Sequence, residues 1–116
     1  MTSQERTATE AVNEVRLVGR VSQPPEEKQL PSGDAVWTFR VVVARGDQPG
    51  RQRVDALECA AWSPRARRSV AAWSVDDVVE VRGALRRRFF RAGGAPASRC
   101  EVEMTSGRLI RRAASA

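Results

Sequence analysis

Four arginines bracket two phenylalanines in RRRFFR, residues 86–91. Successive side chains on a strand point to opposite faces, so Phe89 and Phe90 cannot share one. Counting along 78–91 puts Val79, Val81, Gly83, Leu85, Arg87 and Phe89 on one side. Glu80, Arg82, Ala84, Arg86, Arg88 and Phe90 fall on the other. Val79, Val81 and Leu85 read as core, which turns Arg86, Arg88 and Phe90 outward together. A ring flanked by guanidiniums suits a single-stranded nucleic acid. A base stacks on the ring for roughly 1–3 kcal/mol, and the arginines pair with phosphates beside it. Trp62 closes another alternating stretch on its outward set and offers a second platform. Arg40 and Arg20 add charge to the same kind of surface.

Other chemistries are poorly served. The chain has no histidine, which removes His-based triads, general bases and the usual zinc patterns. Its one lysine, Lys28, does not follow a glycine-rich loop, so no Walker-type phosphate cradle is present. Cys59 and Cys100 lie far apart and read as small apolar strand residues rather than a disulfide. The expectation is a non-enzymatic domain with no catalytic residue, metal or cofactor, and no small-molecule substrate.

Charge points the same way. The formal net charge is +6, and residues 59–116 hold 12 basic and 5 acidic groups against 8 and 9 in residues 1–58. A basic half on a small domain indicates a polyanionic partner, most often nucleic acid. With 116 residues, 41 % of them apolar, the chain suits one domain with one modest core. No apolar run approaches a membrane span. The start, MTSQERTATEAVN, has no apolar signal region, so the expected location is cytoplasmic, associated with the nucleoid.

These groups must be held by strands. Residues 1–12 have no period and read as a loose arm. EVRLVGRV (14–21) alternates, with Gly19 marking a bend or a close backbone approach. SQPPEEKQLPSGD (22–34) is turn chemistry, and AVWTFRVVVAR (35–45) is a second strand, with Trp37 and Phe39 as core candidates. GDQPGRQR (46–53) is a loop before the third strand, VDALECAAW (54–62). Ser63 and Pro64 fit the N-cap and first position of a short helix whose Ala66, Val70 and Trp73 share a face. A fourth strand (78–91), a tip (92–98) and a fifth strand (99–112) follow, then a short tail (113–116). An all-β chain of five strands with one short helix between the third and fourth is the order of an OB-fold barrel, here spanning 13–112.

The same segments resemble the bacterial single-stranded DNA-binding protein family. NEVRLVGRV (13–21) resembles its opening strand, and LPSGDAVWTFRVVVAR (30–45) is similar to its Pro-x-Gly turn and second strand. LECAAWSPRARRSVAAWSVDDVVEVRGALRRRFF (57–90) follows its third strand, helix and fourth strand without a gap. The resemblance covers roughly 13–105. It implies sequence-independent binding of single-stranded DNA in replication, repair or recombination. Trp62 and Phe90 match stacking aromatics, with Arg86 and Arg88 the basic residues before the second. It also implies a homo-oligomer paired through the first strand, a tetramer or a dimer, and that strand's outer face, Glu14, Arg16, Val18 and Arg20, permits a Glu14–Arg16 pair across a two-fold axis.

Some positions depart from the family. Ala56 stands where the family has a further stacking aromatic, and Glu58 where it often has a basic residue. The ending RLIRRAASA is basic where the family usually carries an acidic tip, the expected mark of a divergent or accessory paralogue. Short loops at 46–53 and 92–98 imply a small footprint. Two other readings of the residues are a protein–protein adaptor in a replication-restart or segregation assembly, and an RNA-binding OB domain.

Overall fold

The structure is a computed structural model that describes residues 10–46 and 53–114. Six strands and one complete helix lie among the described residues, in the order β1 (Val15–Val21), β2 (Glu26–Gln29), β3 (Ala35–Arg45), β4 (Arg53–Ala61), α1 (Pro64–Ala71), β5 (Val78–Ala92) and β6 (Ala95–Arg111). Five of the strands close a barrel in the ring β1–β5–β6–β4–β3, which returns to β1 through the Arg20–Val42 and Val21–Val41 pairs. The pairings are antiparallel except β4 with β6, where Cys59–Ala61 run beside Val102–Met104. The expected five-stranded OB-fold with its helix before the fourth barrel strand is what the chain forms.

The core follows the alternation. Val21, Phe39, Val41, Cys59, Ala61, Val79, Val81, Val102 and Met104 point inward and are buried. Helix α1 closes one end with Ala66, Val70 and Trp73, and Trp73 meets Phe39 edge-on, ring centroids 5.5 Å apart. Ser63 caps the helix, its hydroxyl accepting from the Ala66 N–H at 3.1 Å, and Pro64 supplies the first turn. At Gly19, β1 swings from β5 onto β3, and an added Cβ would run into the Val42 carbonyl.

Four expectations change. The segment 22–34 is not all turn: β2 lies within it, pairing Glu26–Gln29 with Thr38–Ala35 beside the edge of β3 that β1 occupies farther along. The tip at 92–98 shrinks to Gly93 and Gly94, whose positive φ values of 60° and 83° form a two-residue hairpin turn. Leu85 is 48 % exposed rather than core, lying past Gly83, where the pairing of β5 with β1 ends. Cys100 is exposed on that ribbon, whereas Cys59 is buried. Most of the arm at 1–12, most of the loop at 46–53 and part of the tail at 113–116 lie outside the described residues.

The two thiols differ accordingly. Burial, with Glu58 and Glu101 nearby, pushes the Cys59 thiol up to about 12. A thiolate is the reacting form, so at pH 8 a maleimide adds to Cys100 and spares Cys59. Mass spectrometry of the native protein is expected to show one label, and of the denatured protein two.

Two acids sit on the barrel almost without solvent. Glu80, 4 % exposed, faces outward from β5 and takes Arg16 at 2.8 Å and Arg108 at 3.1 Å from the strands on either side. Arg108 first, then Arg16, hold its carboxyl below the usual carboxylate range against the cost of burial. Asp77, 1 % exposed, accepts from the Ala113 N–H, the Ser74 N–H and the Arg112 guanidinium. It thereby ties the exit of β6 to the turn before β5. The Ala113 N–H is the chief cause that its carboxyl is also held low. A carboxyl lowered on folding contributes stability that is complete above its unfolded value and lost as pH falls through the folded one. Asp77→Asn is therefore expected to cost about 1.5–3 kcal/mol at pH 7, the range for hydrogen bonds to charged groups. The gap from wild type is expected to narrow below about pH 4, as read by denaturant unfolding across pH.

Candidate nucleic-acid interface

The outer wall of β5, β6, β4 and β3 carries the residues singled out above. Residues directly opposite on an antiparallel pair share a face. Arg86 opposes Glu101, Arg88 opposes Arg99, and Phe90 opposes Ala97, so these side chains stand on one side of the ribbon. On β4, Ala60 lies beside Glu103 of β6, and Trp62, two residues on, follows the same outward set. Across β4, Arg40 of β3 opposes Glu58.

These elements bring Trp62, Arg88 and Phe90 around one hollow, floored by Val36, Thr38 and Ala60. Lys28 of β2 and Arg99 of β6 stand at its rim. The Arg88 guanidinium lies over the Trp62 ring, 5.3 Å from its centroid, and that of Arg99 lies 5.7 Å from the centroid of Phe90. Trp62 is half-buried, and its indole N–H has no hydrogen-bond partner. Phe90 is 44 % exposed. Arg40 lines a second hollow that shares Lys28, Thr38, Arg99 and Glu101 with the first, so the basic surface is continuous from Phe90 to Arg40. Two flat rings within a row of guanidiniums can stack planar bases and hold the phosphates between them.

A family model described as the single-strand binding protein family matches residues 12–109. The chain belongs to the single-strand binding protein family. Among known proteins, single-stranded DNA-binding protein A of Bacillus subtilis is 39 % identical over 57 residues, covering 47 % of this chain and 33 % of that protein. The single-stranded DNA-binding protein of Oceanobacillus iheyensis is 31 % identical over 81 residues, covering 68 % of this chain and 50 % of that protein. The chain thus spans a third to a half of the length of these curated relatives. A solved Plasmodium falciparum SSB complex with ssDNA shares the fold at a TM-score of 0.71 and 22 % identity, over 88 % of this chain and 96 % of that one.

On this member of the single-strand binding family, Trp62, Arg88, Phe90, Arg86 and Arg40 occupy one face. Arg20 does not join them. It projects from β1 at the closing seam, where it meets Asp76 at 3.2 Å, and it lines neither hollow. Phe89, on the ribbon's other face, is 78 % exposed and still reaches the rim of the hollow. The sequence reading missed Lys28, Arg99, Glu101 and Glu103. A two-residue turn at Gly93–Gly94 would have located the last three, because it fixes the register that sets Arg99 against Arg88. Trp37 is half-buried against the core and Trp73 is buried within it, and neither lines the two hollows; Phe39, also buried in the core, lines only the second.

Proposed function

We propose that this chain binds single-stranded DNA, largely without regard to sequence and without catalysing a reaction. The observation that carries the proposal is the pairing of Trp62 and Phe90 around one hollow with Arg88 between them. Bases stack on the two rings, and Arg86, Arg88 and Arg40 take the phosphates. Such a domain, spanning 13–112, shields the unpaired strand during replication, repair or recombination, in the cytoplasm and on the nucleoid. Among the described residues no helix is long and apolar enough to cross a membrane, and no group of three or more His, Cys, Asp or Glu is placed to hold a metal. The β5–β6 ribbon extends the wall well past the barrel, which lengthens the path for a strand beyond what a short 92–98 loop would allow.

The same proposal includes a homo-oligomer, a tetramer or a dimer, built through β1. Over Val15–Gly19 that strand pairs with β5 on one edge, and among the described residues the other edge has no strand partner. Arg16 is engaged with Glu80 at 2.8 Å, so a two-fold pairing of β1 would rest on backbone hydrogen bonds rather than on Glu14 meeting Arg16.

The test is anisotropy of labelled oligo-dT, oligo-rU and duplex DNA titrated at low and moderate salt. Tight dT binding that weakens with salt supports the reading, since phosphate contacts release counterions. Absence of dT binding at both salts refutes it and favours a protein–protein adaptor, the reading to which the Arg40–Glu58 pair, 2.6 Å apart between β3 and β4, lends itself. Tighter binding of rU than of dT would reassign the domain to RNA.

A further inference from the structure

The arginines of this interface are already occupied. Arg40 Nε donates to Glu58 Oε1 at 2.6 Å. Arg86 Nε donates to Glu103 Oε1 at 3.2 Å, reaching diagonally along the ribbon. Arg88 Nε donates to Glu101 Oε1 at 3.1 Å, and its second nitrogen lies 3.9 Å from Glu103. The rings are occupied as well, with the guanidiniums of Arg88 and Arg99 over Trp62 and Phe90. Carboxylates thus stand where phosphates would go, and guanidiniums lie against the rings where bases would stack.

From this we infer that Glu58, Glu101 and Glu103 are selectivity residues that set the domain's preference for unpaired strands over other polyanions. The inference rests on the single-strand reading above. Three carboxylates cancel the charge of Arg40, Arg86 and Arg88, so at these three positions a ligand that offers only phosphates must exchange one anion for another and gains little. A base that displaces the Arg88 and Arg99 guanidiniums from Trp62 and Phe90 gains by stacking, roughly 1–3 kcal/mol per base, which an outer phosphate does not. A duplex keeps its bases inside its own stack and offers the outer phosphates alone. The three acids differ in how readily they yield. Glu101 is nearly buried and stays with Arg88, whereas Glu58 and Glu103 are more open to water and can swing aside when a phosphate arrives. The net positive charge of the chain then steers polyanions toward the surface. The compensated groove decides which of them remain.

The test replaces the two more accessible acids, Glu58→Gln and Glu103→Gln, singly and together, keeping side-chain shape while removing charge. Oligo-dT and a duplex of equal length are titrated against wild type, these variants and Phe90→Ala, with melting curves to show that each is folded. The expected result is tighter binding of both ligands to the glutamine variants, with the duplex gaining by the larger factor, so that the dT-to-duplex preference narrows. The dT salt slope is expected to steepen by roughly 0.7 for each arginine freed. Folded glutamine variants with unchanged affinities and slope would overturn the inference, as would weaker binding of both ligands, which would make the acids mere positioners of the arginines. A wild type that ignores oligo-dT would instead sink the single-strand reading itself.

Discussion

Phe90→Ala is expected to weaken oligo-dT binding by about 1–3 kcal/mol, roughly 5- to 150-fold, at low and moderate salt alike. The ring is 44 % exposed, bordered by Arg88 and Arg99, and shares its hollow with Trp62. A base stacked there is held by surface contact, which releases no counterions, so the loss is the same at every salt concentration. Arg86→Ala acts in the opposite manner. It is expected to cost most at low salt and to flatten the salt slope, because the role proposed for Arg86 is a phosphate contact. Phe89 supplies the internal control. It is more exposed, at 78 %, but stands on the ribbon's other face, so Phe89→Ala is expected to cost less than Phe90→Ala. Anisotropy titrations of the three variants at two salt concentrations separate these effects. A Phe90→Ala variant with wild-type affinity would remove Phe90 from the stacking path.

The second large effect concerns closure of the barrel. Gly19→Val is expected to destabilise the domain by about 3 kcal/mol or more, at the upper end for overpacking. Such a loss lowers the melting temperature by about 10–20 °C in a domain of this size. At Gly19 the two neighbouring strands meet. β1 ends its long pairing with β5 at Arg20 and pairs with β3 at Arg20 and Val21. A side chain at Gly19 would press on the Val42 carbonyl and on Val41, which is fully buried and cannot move aside. The β1–β3 seam would have to open, and with it the ring of hydrogen bonds. Thermal unfolding followed by circular dichroism reads the change. A melting temperature within a few degrees of wild type would show that the seam does not hold the barrel shut.

Much of this was legible in the sequence because burial on one face imposes a period of two. Val79 and Val81 fixed the inward side of β5, and parity then placed Arg86, Arg88 and Phe90 outside, where the structure has them. Ser63, Pro64 and the Ala66–Val70–Trp73 spacing defined the helix. The period stops informing where the opposing sheet ends. Leu85 looks like core by type, yet it lies past the end of the β1–β5 pairing and is 48 % exposed. β2 was hidden because EEKQ is polar throughout and exposed at every position, so no alternation marks it. The ion pairs were hidden for another reason. They depend on diagonal reach across the β5–β6 register, which is set by the Gly93–Gly94 turn and not by either strand alone. Parity puts Arg20 on the outer wall. Parity cannot say which arc of a closed barrel a residue faces, and the seam carried Arg20 toward Asp76.

The most direct test of stacking at this interface is intrinsic tryptophan fluorescence, titrated with oligo-dT in wild type and in Trp62→Phe. Trp73 is buried and Trp37 half-buried against the core, so Trp62 is the tryptophan placed at the hollow. The expected result is strong quenching in wild type that weakens with salt, with most of it lost in Trp62→Phe while binding by anisotropy persists. Binding without quenching, or equal quenching in the variant, would contradict stacking at Trp62.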